Sequence, residues 1–120
     1  MKTNDLKKIR TQMARQMRRG VLELCILSIV SEKEAYPSDI IKELKASELI
    51  VVEGTLYPLL SRMKDQGLLQ YNWQESSMGP PRKYYSITDT GREFLKGLLE
   101  TWDQLVEAVN RSTKNISTNE

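Results

Sequence analysis

Gly54-Thr55-Leu56-Tyr57-Pro58-Leu59-Leu60-Ser61-Arg62-Met63-Lys64-Asp65, followed by Gly67, has the pattern of a helix with one apolar side and one polar side. At about 100° per residue, Leu56, Leu59, Leu60 and Met63 share a face, and Tyr57, Pro58, Ser61, Arg62 and Asp65 occupy the opposite one with Lys64 at its flank. Thr55 suits the N-cap, which would put Pro58 where no amide is needed, and Gly67 supplies the stop. The back of this helix is built to be buried, and its front carries hydroxyls and cations.

The flanking segments complete the pattern. Leu68–Trp73 and Lys83–Ile87 are rich in aromatic and β-branched residues and predict two strands joined by a nine-residue tip, Gln74–Arg82 (QESSMGPPR), with Trp73 covering the edge of the core. Upstream, Pro37 opens a helix with Ile40, Ile41 and Leu44 on one side that ends near Ala46 or Ser47. Eight of the ten residues from Val21 to Val30 are apolar, which predicts a helix buried on most sides with Cys25 as a structural member. Residues 4–18 place Leu6, Ile9, Met13 and Met17 at steps of three and four, and Gly20 is expected to break or kink this first helix. Thr88 caps a last helix over 89–111 with Leu95, Leu98, Trp102, Leu105 and Val109 in a stripe flanked by Phe94, Leu99 and Val106; the polar tail from Ser112 should fray. The result is a mainly α chain with a small β-hairpin: a basic N-terminal helix (1–19), a winged helix-turn-helix (20–88), a long C-terminal dimerisation helix (89–111) and a flexible tail (112–120).

Charge and composition limit the function. The chain has 120 residues, enough for one core, and 18 basic against 16 acidic residues give a net charge of only +2. Resolved by position, residues 1–20 carry +6 and the other hundred carry −4. Arg82-Lys83 beside Gly79-Pro80-Pro81 adds a second basic patch, a distribution suited to a polyanion. Histidine is absent, which removes imidazole bases, Ser/His/Asp triads and histidine metal ligands; no Gly-rich phosphate loop or cluster of metal ligands is present either. No enzyme, metal or cofactor is therefore expected. Asp39 and Glu43, four residues apart, predict a solvated ion-pair face. The lone cysteine fits a reducing compartment, the cytoplasm, and the longest apolar run is too short for a membrane span.

In a winged helix the front of the third helix enters the major groove, and the wing meets backbone or minor groove. Arg62 can fork onto a guanine or a phosphate, or pair with Asp65; Tyr57 and Ser61 can donate hydroxyls, or Tyr57 can pack on a neighbouring helix; Lys64 can neutralise a phosphate. A winged helix can also serve as a protein-binding module.

The runs Gly54–Met63, Gly67-Leu68-Leu69, Gly79–Thr88 (GPPRKYYSIT) and Gly91, with Arg19-Gly20-Val21-Leu22-Glu23 upstream, resemble the signature of PadR-type transcriptional regulators over roughly residues 16–105. That resemblance implies a homodimeric repressor that binds an inverted repeat in double-stranded DNA and is often released by a small ligand. It puts Tyr57, Ser61 and Arg62 on the recognition helix, with Thr55 and Lys64 beside them, and Arg82 and Lys83 on the wing. The N-terminal extension departs from the pattern in being longer and more basic than in many members.

Dimerisation has an independent argument, since the Leu95/Leu98/Trp102/Leu105/Val109 stripe is wider than one small domain can cover. Leu6, Ile9 and Met13 of the first helix are candidates to cross onto the partner's last helix, with the basic side either flanking DNA or facing water. A two-fold dimer would set two recognition helices about 34 Å apart on one DNA face. Trp102 falls where similar regulators stack flat aromatic molecules between subunits, and that resemblance implies a small aromatic effector; an aromatic at helical spacing more often fills a seam, and Trp102 suits the dimer seam as a packing residue.

Overall fold

Helix α1 runs unbroken over Thr3–Glu32 in the computed structural model, which describes residues 2–116. Gly20 does not interrupt it, contrary to expectation. A helical glycine costs about 1 kcal/mol, less than the helix-forming neighbours on both sides and the burial of Leu22, Leu24, Ile26, Leu27 and Val30 contribute.

Helix α2 spans Pro37–Ala46 with the proline in its first turn. Asp39 is no member of an ion-pair face: its Oδ2 accepts the Tyr36 N–H at 3.0 Å and so caps the helix, and neither Asp39 nor Glu43 forms an ion pair among the described residues. The helix closes through Glu48 at φ 64°, with Leu49 N–H donating to the Leu44 carbonyl at 2.8 Å.

Helix α3, Glu53–Asp65, begins two residues before the expected Thr55 cap. The Val52 carbonyl accepts from the Thr55 and Leu56 amides, both at 3.0 Å, so the first turn is already wound when Thr55 is reached. Pro58 is consequently interior. Its missing N–H leaves the Gly54 carbonyl without a helical donor. At the far end the expected stop holds: Gly67 has φ 79°, and Gly67 and Leu68 donate to the carbonyls of Lys64 and Met63 at 3.0 and 2.9 Å.

Strands β1 (Leu69–Ser76) and β2 (Gly79–Ile87) pair antiparallel with Tyr71 opposite Tyr85 and Trp73 opposite Lys83. The nine-residue tip is thus mostly strand, leaving only Ser77 and Met78 between the strands. The register shifts between Gln74 and Ser76, opposite Pro80 and Pro81, where the proline pair offers no donors to the ladder. Ala35, just before α2, forms an isolated bridge to β2 by exchanging backbone hydrogen bonds with Tyr85 at 3.0 and 2.8 Å.

Helix α4 covers Asp89–Thr113, two residues beyond the expected end, and residues 117–120 of the expected tail lie outside the described residues. The Thr88 hydroxyl accepts from Gly91 N–H at 2.9 Å and donates to the Gly67 carbonyl at 2.6 Å, joining the end of α3 to the start of α4. Leu27, Ile40, Leu44, Leu56, Leu60, Met63, Leu69 and Tyr85 form one core, with Cys25 half-buried against it. The chain is nonetheless extended: its radius of gyration is 17.6 Å, against about 14 Å for a compact domain of this length. The excess comes from α1 and α4. No residue of α1 before Leu22 is buried, and in α4 only Gly91 and Leu95 are.

Candidate nucleic-acid interface

The back of α3 is fully buried at Leu56, Leu60 and Met63, which fixes the opposite face outward. Thr55, Tyr57, Ser61, Arg62 and Lys64 are all exposed on it. Arg62 pairs with neither Asp65 nor solvent alone: its Nη2 donates to Oε1 of Glu23 on α1. Both side chains are partly exposed, so the pair contributes at most about 1 kcal/mol and yields readily to a phosphate or a base edge. Lys64 lies 3.9 Å from Asp65, a loose surface contact.

The wing presents its two cations differently. The Arg82 guanidinium lies 3.7 Å from the centre of the Tyr36 ring, and that ring packs on Tyr84 at 4.7 Å. Lys83 Nζ sits 4.5 Å from the Tyr71 ring and 5.5 Å from Trp73. Trp73, expected to cover the core, is 61% exposed instead. Its position far out on β1 carries it past the core, and it stands edge-on to Tyr71 at 5.9 Å. Such stacking holds flexible cations in place while leaving their N–H donors free. Between wing and α3 runs an open groove of about 430 Å³ lined by Tyr36, Glu53, Tyr57, Trp73, Arg82 and Lys83.

The sequence did not single out Tyr36 or Glu23 as parts of this surface. Glu23 left a signal, as the one charged residue inside the apolar run Val21–Val30. Tyr36 left none. Among the described residues, burial pushes the Cys25 thiol up, and burial foremost, with Tyr71 and Tyr57 nearby, pushes the Tyr85 phenol up. Both stay neutral near pH 7.

The far helices hold the other predicted residues. Leu95 is buried and Leu98 half-buried in the domain's own core rather than in a free seam. Trp102, Leu105 and Val109 are 39%, 52% and 50% exposed, and Leu6, Ile9 and Met13 are 56%, 42% and 60% exposed. An open apolar cleft of about 650 Å³ lies between α1 and α4, lined by Met17, Val21, Trp102, Leu105, Val106 and Val109. No helix is long and apolar enough to cross a membrane among the described residues.

A third helix with a buried back and a polar front, set beside a hairpin with a basic outer half, defines a winged helix-turn-helix protein. The chain belongs to the PadR-like family of transcriptional regulators, whose model matches residues 26–97. It is similar to a PadR-like transcription factor from Bacteroides fragilis (53% identity, covering 83% of this chain and 97% of that one, TM-score 0.71). A PadR-like regulator from Bacillus cereus shares 42% identity over 83% of this chain and 98% of its own, with a TM-score of 0.72. A PadR family regulator from Eggerthella lenta, at 31% identity, covers 94% of this chain and 99% of that one and superimposes with a TM-score of 0.88.

Proposed function

We propose that this protein is a homodimeric transcriptional repressor that binds a palindromic duplex operator through α3 and the wing and is released by a small flat aromatic ligand. The observation that carries DNA binding is the exposed polar front of α3 standing beside Arg82 and Lys83 across one groove. Groove-reading hydroxyls and backbone-neutralising cations then face the same side, as the contact pattern of DNA readers requires.

Dimerisation is supported by the uncovered helices. Residues 3–20 of α1 have no buried member, whereas most helical stability in proteins comes from packing an amphipathic face. Trp102, Leu105 and Val109 beside Leu99 form the exposed strip that a second copy would cover, with Leu6, Ile9 and Met13 reaching toward the partner's α4. The apolar cleft has a volume within the range of small-molecule sites, and Trp102 on its wall offers a ring for stacking. The cytoplasm is the compartment this role requires.

Selection of bound duplexes from a random library tests the reading. An inverted repeat with half-sites about one helical turn apart is expected, along with a dimer by sedimentation at micromolar concentration. Weak, salt-insensitive duplex binding unaffected by Arg82→Ala would refute it in favour of a protein-binding module. For the effector, Trp73→Phe leaves Trp102 as the only fluorophore of its kind, and quenching by planar aromatic compounds reports the cleft. A stable monomer, or no quenching by any such compound, would remove the corresponding part.

A further inference from the structure

The wing forms one flank of α3, and a second groove of about 220 Å³ forms the other. It is lined by Arg15, Arg18 and Arg19 of α1, by Ile50 and Val52 just before α3, and by Thr55 in its first turn. The two grooves meet the same end of the helix: Val52 and Thr55 line one, Glu53 and Tyr57 the other. All three arginines are exposed, and none is in an ion pair among the described residues. They support no core, because nothing in α1 before Leu22 is buried. Helix α3 also starts without a side-chain cap.

A major groove about 12 Å wide is walled by two phosphate backbones, so a helix seated in it has a backbone on each side. Arg82 and Lys83 stand on one side of α3. The three arginines stand on the other. We infer that the groove between α1 and the start of α3 is a second phosphate-binding site, which takes backbone phosphates of the strand opposite the one met by the wing. Guanidinium forks match phosphate oxygens bidentately, and the Thr55 hydroxyl with the open N-terminus of α3 completes a set of donors around the same space. This assigns a role to the inner part of the basic N-terminal segment, and it rests on the reading of α3 as a DNA-binding helix. Arg18 also borders the apolar cleft, so the test uses Arg15 and Arg19.

The full-length protein is titrated with a fluorescent 30-base-pair duplex of mixed sequence across a range of salt concentrations. Arg15→Gln/Arg19→Gln should lower the slope of log K against log salt by about 0.9 for each phosphate that is no longer neutralised, which for a dimer is about 1.8 where the two arginines of a subunit share one phosphate and about 3.6 where each holds its own, and weaken binding at least tenfold at 0.1 M salt. Arg15→Lys/Arg19→Lys, which keeps the charge, should recover most of the slope. Lys7→Gln/Lys8→Gln, which removes the same charge further out on α1, should leave it unchanged. Equal losses in the two glutamine pairs would overturn the site in favour of diffuse attraction, and an unchanged slope in Arg15→Gln/Arg19→Gln would overturn it outright. Arg82→Gln/Lys83→Gln separates the two levels of inference. If that pair loses affinity and the α1 pair does not, only the second site fails. If the unaltered protein shows no salt-dependent duplex binding, the DNA-binding reading itself fails.

Discussion

Replacing Gly91 with alanine places a methyl group where the fold has no room, and the cost follows from the geometry. A Cβ at Gly91 would stand 2.1 Å from the Leu68 carbonyl oxygen and 2.7 Å from Cγ1 of Ile87. The oxygen must therefore retreat by about 0.9 Å to reach the 3.0 Å below which real Cβ atoms essentially never approach a neighbour. That oxygen accepts from the Thr88 amide at 3.1 Å and lies 3.1 Å from the Thr88 hydroxyl, whose one proton goes mainly to the Gly67 carbonyl at 2.6 Å. Overpacking of this kind costs about 1–3 kcal/mol, and the strained amide hydrogen bond adds about 1 kcal/mol. The better helix propensity of alanine returns about 1 kcal/mol. The net expectation is a loss of about 1–3 kcal/mol, or a melting point about 4–12 °C lower for a chain of this size. Gly97, six residues along the same helix, has nothing within 4 Å of its Cβ position. Gly97→Ala should therefore gain about 1 kcal/mol, with a melting point roughly 4 °C higher. Thermal unfolding at one fixed protein concentration measures both, since association shifts the apparent stability. A Gly91→Ala protein melting within about 2 °C of the parent, or above it, would refute the claim that the Gly67–Leu68 end of α3 and the start of α4 are locked by close approach.

Tyr36→Ala should weaken duplex binding about two- to fivefold by freeing Arg82 from its stacking surface, while Tyr36→Phe should bind as the parent does in fluorescence anisotropy. Glu48→Gly relieves a side chain held at φ 64°; after the added flexibility of the unfolded chain is subtracted, a gain of about 0.5–1 kcal/mol in urea denaturation is expected. Tyr85 has its phenol raised in the folded state, so its contribution is complete below the ordinary tyrosine value and is lost as pH rises through the folded one. The urea midpoint should accordingly fall on the alkaline side of that value, and fall less in Tyr85→Phe. With no histidine in the chain, duplex affinity at constant ionic strength should be flat from about pH 5.5 to 7.

The elements that the sequence made legible are those whose pattern is local. The stripe Leu56, Leu60, Met63 and the stop at Gly67 are repeated at helical spacing within a dozen residues, and Thr88 caps the helix directly after it. What it misplaced depends on competition between local preferences. Gly20 and Pro58 each oppose a helix, yet both lie inside one, because the burial of neighbours such as Leu22 and Leu60 outweighs a cost of a few kcal/mol at a single site. The prolines after Gly79 suggest a loop, but a two-stranded ladder needs donors from only alternate residues, and a register shift absorbs the rest.

The candidate site divides in the same way. The exposed front of α3 could be read from periodicity alone, because one helix supplies it. Its surroundings come from far along the chain: Glu23 reaches Arg62, Tyr36 underlies Arg82, and Arg15 and Arg19 line a groove with Thr55. No spacing rule connects residues so distant. Their charges were nevertheless visible as an imbalance, +6 in the first twenty residues against −4 in the rest. A solvated helix would disperse such charge around its circumference, but here three of its arginines share one groove at the end of α3, on the side away from the wing. On the proposed reading, the surface offered to a duplex is assembled from three separate segments around one helix, so affinity should depend on all three while base recognition should depend on α3.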